Sequence, residues 1–102
     1  HGRLAFGRAV GAGLDAARAD AAPVRVRLRI GGERLQLAAG RPKRALKSLL
    51  QEAGLPPWER RGLPLVWCCD ALAMVPGIGV DAAFAAPPGR PGITVAWHPN
   101  PL

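Results

Sequence analysis

The sequence lacks a long hydrophobic run and contains little cysteine. Apolar residues make up 49% of the 102 residues, but no stretch approaches the roughly 20 apolar residues that a membrane-spanning helix needs. The two cysteines, Cys68 and Cys69, are adjacent, so they cannot form the disulfide framework of a small secreted protein. The first ten residues carry two arginines and no continuous apolar core, unlike an export signal. We therefore expect no membrane span and a cytoplasmic location.

Residues that support common enzyme chemistry are also scarce. Gly77 and Gly79 lack the strand-to-helix context and the spacing of a phosphate-binding loop. Cys68, Cys69 and His98 offer three soft metal ligands at most, and neighbouring cysteines on a strand point to opposite faces, so we expect no metal site. No carboxylate pair is placed for acid–base catalysis. The residues favour a binding domain without catalytic residues, and a small thiol enzyme using either cysteine with His98 stays open as an alternative.

Positive charge is concentrated in one part of the chain. Lysine and arginine number 14 against seven acidic residues, a formal charge of +7. Residues 23–61 contain ten of the basic and three of the acidic residues, and the remaining charges cancel, so this segment holds the whole excess. Such a concentration indicates a polyanionic partner such as RNA. A basic module that docks on an acidic protein surface and a basic face that is only solvated are the alternatives.

Alternating and helical patterns predict an α+β domain of short strands around one main amphipathic helix. Residues 24–30 alternate apolar side chains with arginine, as in a half-buried strand, and Gly31-Gly32 predicts a hairpin with residues 34–37. Residues 42–53 predict the helix, with a proline in the first turn and a glycine after the end. Further strands are predicted at residues 4–6, 63–68, 72–75 and 93–97, whereas residues 1–22 as a whole are expected to be poorly defined.

The predicted helix separates a core face from a basic face. The core is predicted to contain Leu46, Leu49, Leu50, Leu65, Trp67 and Trp97. Trp58 is predicted to pack beneath the Pro-Pro turn, with stacking on a base as the alternative. Basic side chains follow the polar side of the helix, its entrance, the segment after the Pro-Pro turn and one strand face. The candidate RNA-binding residues are Arg41, Lys43, Arg44, Lys47, Arg60 and Arg61, followed by Arg25, Arg27, Arg29 and Arg34.

Four segments in a fixed order carry a resemblance to a known family. They are GERL at residues 32–35, LKSLLQEAGLPPW at 46–58, LPLV at 63–66 and VPGIGV at 75–80, with Arg60 or Arg61 between the second and third. In this pattern the chain resembles the C-terminal domain of bacterial tRNA(Ile)-lysidine synthase. The resemblance implies a layered β-sandwich with helices, grouped with a domain of the phenylalanyl-tRNA synthetase β subunit.

The resemblance also implies a function for the chain as a whole. Residues 1–102 would form a single C-terminal domain that grips the acceptor-stem side of an isoleucine tRNA with a CAU anticodon. Ligation of lysine to the wobble cytidine, with ATP and magnesium, would belong to an N-terminal domain of the same polypeptide with an S-G-G-x-D-S loop. No such loop occurs here. The chain is therefore expected to be non-catalytic, with no cofactor of its own.

Overall fold

The computed structural model describes residues 2–21, 23–68 and 70–99, and only the backbone of the last of them. These residues form nine strands and three short helices. The elements are β1 (Gly2–Val10), β2 (Leu14–Asp15), α1 (Ala16–Ala21), β3 (Val24–Leu28), β4 (Arg34–Leu35), β5 (Arg44–Ala45), α2 (Leu46–Glu52), α3 (Pro57–Gly62), β6 (Pro64–Cys68), β7 (Ala71–Val75), β8 (Gly79–Val80) and β9 (Pro91–Pro99). None of these helices is long and apolar enough to cross a membrane.

Three antiparallel sheets build a layered α+β fold. The central sheet has the order β3-β6-β7-β8, the second has the order β1-β9-β2, and β4 pairs with β5. The leucines of α2 pack with Leu65 of the central sheet, whereas Val66 and Cys68 of the same strand pack with Leu14 and Val95 of the second sheet. Because both faces of β6 are covered, its sequence is a continuous apolar run. The predicted sheet-rich α+β class is confirmed.

The helix α2 contributes most of one core. Leu46, Leu49 and Leu50 are buried along one side of it, at the spacing of an amphipathic helix. Together with Leu65 they confirm the predicted leucine core. The other two predicted members, Trp67 and Trp97, are half-buried and pack against its edge.

The longest pairing joins the two ends of the described chain. Strand β1 runs antiparallel to β9 over nine residues, from Gly2 opposite Pro99 to Val10 opposite Pro91. The prediction of a final strand is confirmed, and the short edge strand predicted at residues 4–6 is part of a longer one. Residues 2–21 have regular structure through β1, β2 and α1, where the sequence predicted a poorly defined segment. The partner that orders them, β9, is 77 to 97 residues away in sequence, so no local pattern indicates it.

The predicted hairpin around Gly31-Gly32 is wrong. Strand β3 pairs with β6, and β4 pairs with β5, so the two strands enter different sheets. The Glu33 carboxylate accepts hydrogen bonds from the backbone N–H groups of Ile30 and Gly31 at 2.8 and 3.0 Å. This side chain, which is only 7% exposed, closes the turn in place of a strand ladder.

The predicted helix start is also wrong, since α2 begins at Leu46 rather than at residue 42. Arg44 and Ala45 pair with Leu35 and Arg34, and the Leu46 N–H donates to the Glu33 carbonyl at 2.9 Å. Pairing with a distant strand therefore overrides the local helical pattern. Lys43 and Arg44 precede the helix, so the projection that placed them on its polar side does not hold.

The short helix α3 follows the Pro-Pro pair and was not predicted. Pro56 is its N-cap and Pro57 its first residue, a position where the missing N–H of proline costs no helical hydrogen bond. Arg60 and Arg61 lie in its last turn, where cations interact favourably with the helix dipole. The sequence does not indicate this helix, because six residues are too few to show a helical period. By contrast, the strands predicted at residues 63–68 and 72–75 are confirmed as β6 and β7, which pair antiparallel.

Candidate nucleic-acid interface

The ten candidate cations lie in three groups within the described part of the chain. The strand group is Arg25 and Arg27 on β3. The turn group surrounds β4, β5 and the start of α2, and consists of Arg34, Arg41, Lys43, Arg44 and Lys47. The cleft group joins the end of β3 to α3, and consists of Arg29, Arg60 and Arg61. The structure therefore keeps the cations of the predicted helix face in one group. It separates Arg29 from Arg25 and Arg27, and brings Arg29 to two arginines about 30 residues away.

The strand group lies on an exposed edge strand. Every residue of β3 is exposed, so the predicted half-buried strand is wrong: its apolar residues have no covering layer here. The Arg27 guanidinium lies 5.6 Å from the centroid of the Trp67 ring and 3.9 Å from the Asp70 carboxylate. The side chains of this ion pair are 47% and 91% exposed, and such surface contacts contribute about 1 kcal/mol or less. They orient Arg27 without removing it from solvent.

The turn group is held in place largely through backbone carbonyls. Arg34 donates through Nη2 to the Lys43 carbonyl at 3.1 Å, and the Gln36 side chain donates to the Arg41 carbonyl at 2.6 Å. These bonds fix the loop between β4 and β5. The side chains of Lys43 and Lys47 are exposed and make no ion pair in the described part of the chain. Both ammonium groups are therefore available to an anion.

Arg44 differs from the other candidate cations because its guanidinium donates hydrogen bonds to a carboxylate in the described structure. Its guanidinium forms a two-pronged ion pair with Glu52 at the end of α2. This hydrogen bonding holds the pKa of the Glu52 carboxyl below its usual value and raises the pKa of Arg44. The contribution of the pair to stability is present above the unfolded-state pKa of Glu52, and it is lost as pH falls through the lowered folded-state pKa. Eight residues separate the partners, so no helical spacing rule indicates the pair.

Replacing Glu52 by glutamine should release the Arg44 charge. If Arg44 contacts RNA, Glu52→Gln will raise tRNA affinity by about two- to fivefold at low salt, the scale of an exposed charge pair. Asp20→Asn is the matched control, because it removes the same charge from an exposed residue on α1, outside the three groups and with no ion pair among the described residues. Fluorescence titration with labelled tRNA measures both variants. Equal gains would show that only net charge matters and that Arg44 is not a contact.

The cleft group surrounds a cavity of about 250 Å³, lined by Arg29, Ile30, Gly31, Arg60 and Arg61. Arg60 is half-buried and donates through Nε to the Leu55 carbonyl at 2.6 Å, which fixes its guanidinium. The Nε of Arg29 is buried and has no hydrogen-bond partner in the structure. Three guanidinium groups thus converge without an ion pair to any described carboxylate.

Trp58 lies beside the cleft group rather than in the core. It is 69% exposed, so the predicted packing beneath the Pro-Pro turn is wrong. Trp58 and Arg61 are three residues apart in α3, which places them on the same side of the helix. The cover that Trp58 was expected to give is supplied by Leu55 and Leu63, which pack on the leucine core. Its exposed ring favours the stacking alternative.

The cysteine and histidine side chains of the thiol-enzyme alternative differ in exposure. Cys68 is 2% exposed, lies in the core between the two larger sheets, and has a 3.8 Å sulfur contact with the Arg18 carbonyl. His98 lies on β9 with an exposed side chain, and Cys69 lies outside the described residues. Over residues 2–21, 23–68 and 70–99, no group of three histidine, cysteine or acidic side chains is placed to hold a metal ion.

The chain is similar to known proteins in both its fold and its sequence. A crystal structure of a TilS C-terminal domain superimposes with a TM-score of 0.69 over 97% of this chain and 85% of that chain, at 24% identity. The fold is therefore that of a TilS C-terminal domain. A family model described as "TilS substrate C-terminal domain" matches residues 24–97. The chain belongs to this family.

Sequence relatives extend the match beyond the family model. The chain is 48% identical over 101 residues to a tRNA(Ile)-lysidine synthase of Nitrosomonas europaea, covering 99% of this chain and 22% of the relative. It is 43% identical over 98 residues to the enzyme of that name from Ralstonia nicotianae, covering 96% and 21%. The chain thus spans about a fifth of the length of these curated relatives, and it corresponds to the C-terminal domain of a tRNA(Ile)-lysidine synthase.

Proposed function

We propose that this chain grips tRNA for a tRNA(Ile)-lysidine synthase, through phosphate contacts made by its three groups of cations. The observation that carries the proposal is that nine of the ten candidate cations have no strong carboxylate partner in the described residues. The exception is Arg44, which is paired with Glu52. Arg27 has only a 3.9 Å contact with the Asp70 carboxylate. Unpaired surface cations bind the closely spaced phosphates of a duplex by releasing its counterions. The names of the relatives, tRNA(Ile)-lysidine synthases, support tRNA as the RNA.

The acceptor-stem side of an isoleucine tRNA is the part that we propose for contact. A-form RNA is bound through its backbone and 2′-hydroxyl groups rather than through its deep major groove. Exposed arginines and lysines on an edge strand, a turn and a short helix suit such a surface. Lysine ligation with ATP and magnesium is assigned in this proposal to a region outside the chain, since no phosphate-binding loop for ATP occurs in it.

A competition experiment tests the proposal against the protein-docking alternative. Labelled tRNA bound to the chain is displaced by unlabelled tRNA, by heparin and by an acidic protein, each supplied at the same concentration of negative charge. The proposal predicts that unlabelled tRNA displaces the probe at the lowest charge concentration, since RNA shape adds to charge. Equal displacement by heparin would reduce the interface to a charged surface, and stronger displacement by the acidic protein would favour docking on a protein.

The exposed ring of Trp58 provides a separate test. Trp58→Ala should lower tRNA affinity about tenfold, because stacking of a base on an aromatic side chain contributes ~1–3 kcal/mol. The free energy of unfolding should change by less than about 0.5 kcal/mol, as expected for an exposed residue. Phe6→Ala is the control, since Phe6 on β1 is 65% exposed and lies outside the three cation groups. If both variants bind tRNA equally, Trp58 has no role in binding.

A further inference from the structure

The cleft group places three arginines around one open cavity on the described surface. Arg29 comes from the end of β3, whereas Arg60 and Arg61 come from α3, and all three line the same cavity of about 250 Å³. A water molecule takes about 30 Å³ in the liquid, so this volume accommodates a phosphate group with several waters. The lining contains no acidic residue.

Two features of Arg60 and Arg29 bear on the binding of an anion. The bond from Arg60 Nε to the Leu55 carbonyl leaves the two terminal nitrogens of that guanidinium for another acceptor. The buried Nε of Arg29 lacks an acceptor in the structure. A buried donor without a partner is costly, and a shift of the Arg29 side chain toward a charged acceptor would remove that cost.

The charges around the cleft favour an anion whose negative charge is shared by two or more oxygens. Three guanidinium groups repel one another, and no described carboxylate forms an ion pair with them. The carboxylate of Glu33 is at the same turn, but its oxygens accept bonds from the Ile30 and Gly31 N–H groups and it is 7% exposed. The Glu33 carboxylate offsets part of the positive charge but forms no ion pair with the three guanidinium groups.

From this geometry we infer that Arg29, Arg60 and Arg61 form a seat for a single phosphate group, which in the bound complex is one phosphodiester of the RNA backbone. Guanidinium groups bind phosphate through two parallel N–H bonds, so three of them fix its position as well as its charge. The RNA source of the phosphate rests on the proposed function, whereas the seat itself does not. The remaining cations then attract the RNA backbone without fixing a particular phosphate in position.

Inorganic phosphate tests the seat directly. In NMR spectra of the chain, the Nε–Hε signals of Arg29 and Arg60 should shift along a saturable curve as phosphate is added, at ionic strength held constant with chloride. The Arg3 and Arg8 signals, from exposed residues on β1, should show no saturation. The same weak, non-saturating shifts at all four arginines would overturn the inference.

Variants then test whether RNA supplies the phosphate. Arg61→Gln, at an exposed position that leaves packing intact, and Arg29→Gln should each lower tRNA affinity at least about tenfold. Arg3→Gln and Arg8→Gln should change it about twofold, and circular dichroism confirms folding of each variant.

The Arg29→Gln/Arg61→Gln double variant should lose less tRNA affinity than the product of the two single effects, because both arginines bind one phosphate group. Arg29→Lys should restore little, since a lysine lacks the two-pronged geometry.

The outcomes separate the two proposals. If tRNA binds and the cleft variants behave like the β1 controls, the seat is wrong and the proposed function stands. If phosphate saturates the cleft while the chain shows no salt-dependent affinity for tRNA, the seat stands and the proposed function is wrong.

Discussion

Gly13→Ala is expected to lower the free energy of unfolding by about 3 kcal/mol or more. Gly13 has a φ of 76°, a left-handed conformation that costs an L-residue roughly 1–2 kcal/mol. A Cβ there would overlap the Ile93 carbonyl group, with its carbon only 2.7 Å away and the Thr94 nitrogen at 3.1 Å. Both are backbone atoms of β9, so the overlap is relieved only by moving the strand, which adds the cost of overpacking.

Gly54 provides a closely matched control for this substitution. It follows α2 with the same φ of 76°, but an added Cβ would meet no atom within 4 Å. Gly54→Ala should therefore show the backbone cost alone, about 1–2 kcal/mol. Urea unfolding followed by circular dichroism measures both variants. Similar losses for the two would show that β2 and β9 are not as closely packed as the structure places them.

Asp81→Ala is expected to destabilise the fold by about 3 kcal/mol through the loss of a buried carboxylate. Asp81 is 4% exposed, and its two oxygens accept the backbone N–H groups of Gln36 and Ala83, each at 3.0 Å. Backbone bonds from Asp81 to Ala73 and from Ala82 to Gln36 complete this junction. Alanine would leave two N–H groups without acceptors, each costing about 1–3 kcal/mol when buried. The junction ties the segment after β4 to the exit of β8.

The Asp81 prediction is checked by urea unfolding against Asp20→Ala. Asp20 is exposed on α1, and its carboxylate makes no bond in the described part of the chain. Its replacement should change stability by less than about 0.5 kcal/mol. Asp81→Asn should lie between the two, because the amide keeps one acceptor oxygen. A small effect of Asp81→Ala would mean that water reaches the two N–H groups.

Local patterns in the sequence predicted the elements whose partners are close along the chain. The leucines of α2 follow a helical spacing, and the β6–β7 hairpin follows from apolar runs on either side of a short turn. Strand β3 was also recognised, but its partner was not: it pairs with β6, about 40 residues away, rather than with the nearby residues 34–37. Alternation of side chains reveals a strand and leaves its neighbour unspecified.

The candidate site shows the same limit at the level of side chains. The excess of arginine and lysine in residues 23–61 indicated a basic surface, and the family resemblance indicated its ligand. The pairing of Arg44 with Glu52, the exposure of Trp58 and the convergence of Arg29 with Arg60 depend on tertiary structure. The helix start at Leu46 also depends on tertiary structure, because the pairing of Arg44 with Leu35 overrides the local helix propensity.

The dependence of tRNA affinity on salt is the most direct test of a phosphate-binding surface. The logarithm of the association constant is measured against the logarithm of the KCl concentration for the unmodified chain. Neutralisation of about 4–6 phosphates predicts a linear fall with a slope of roughly 3 to 5. An affinity that hardly changes with KCl, with a slope below about 1, would contradict the account, because cations bound to phosphates must release counterions.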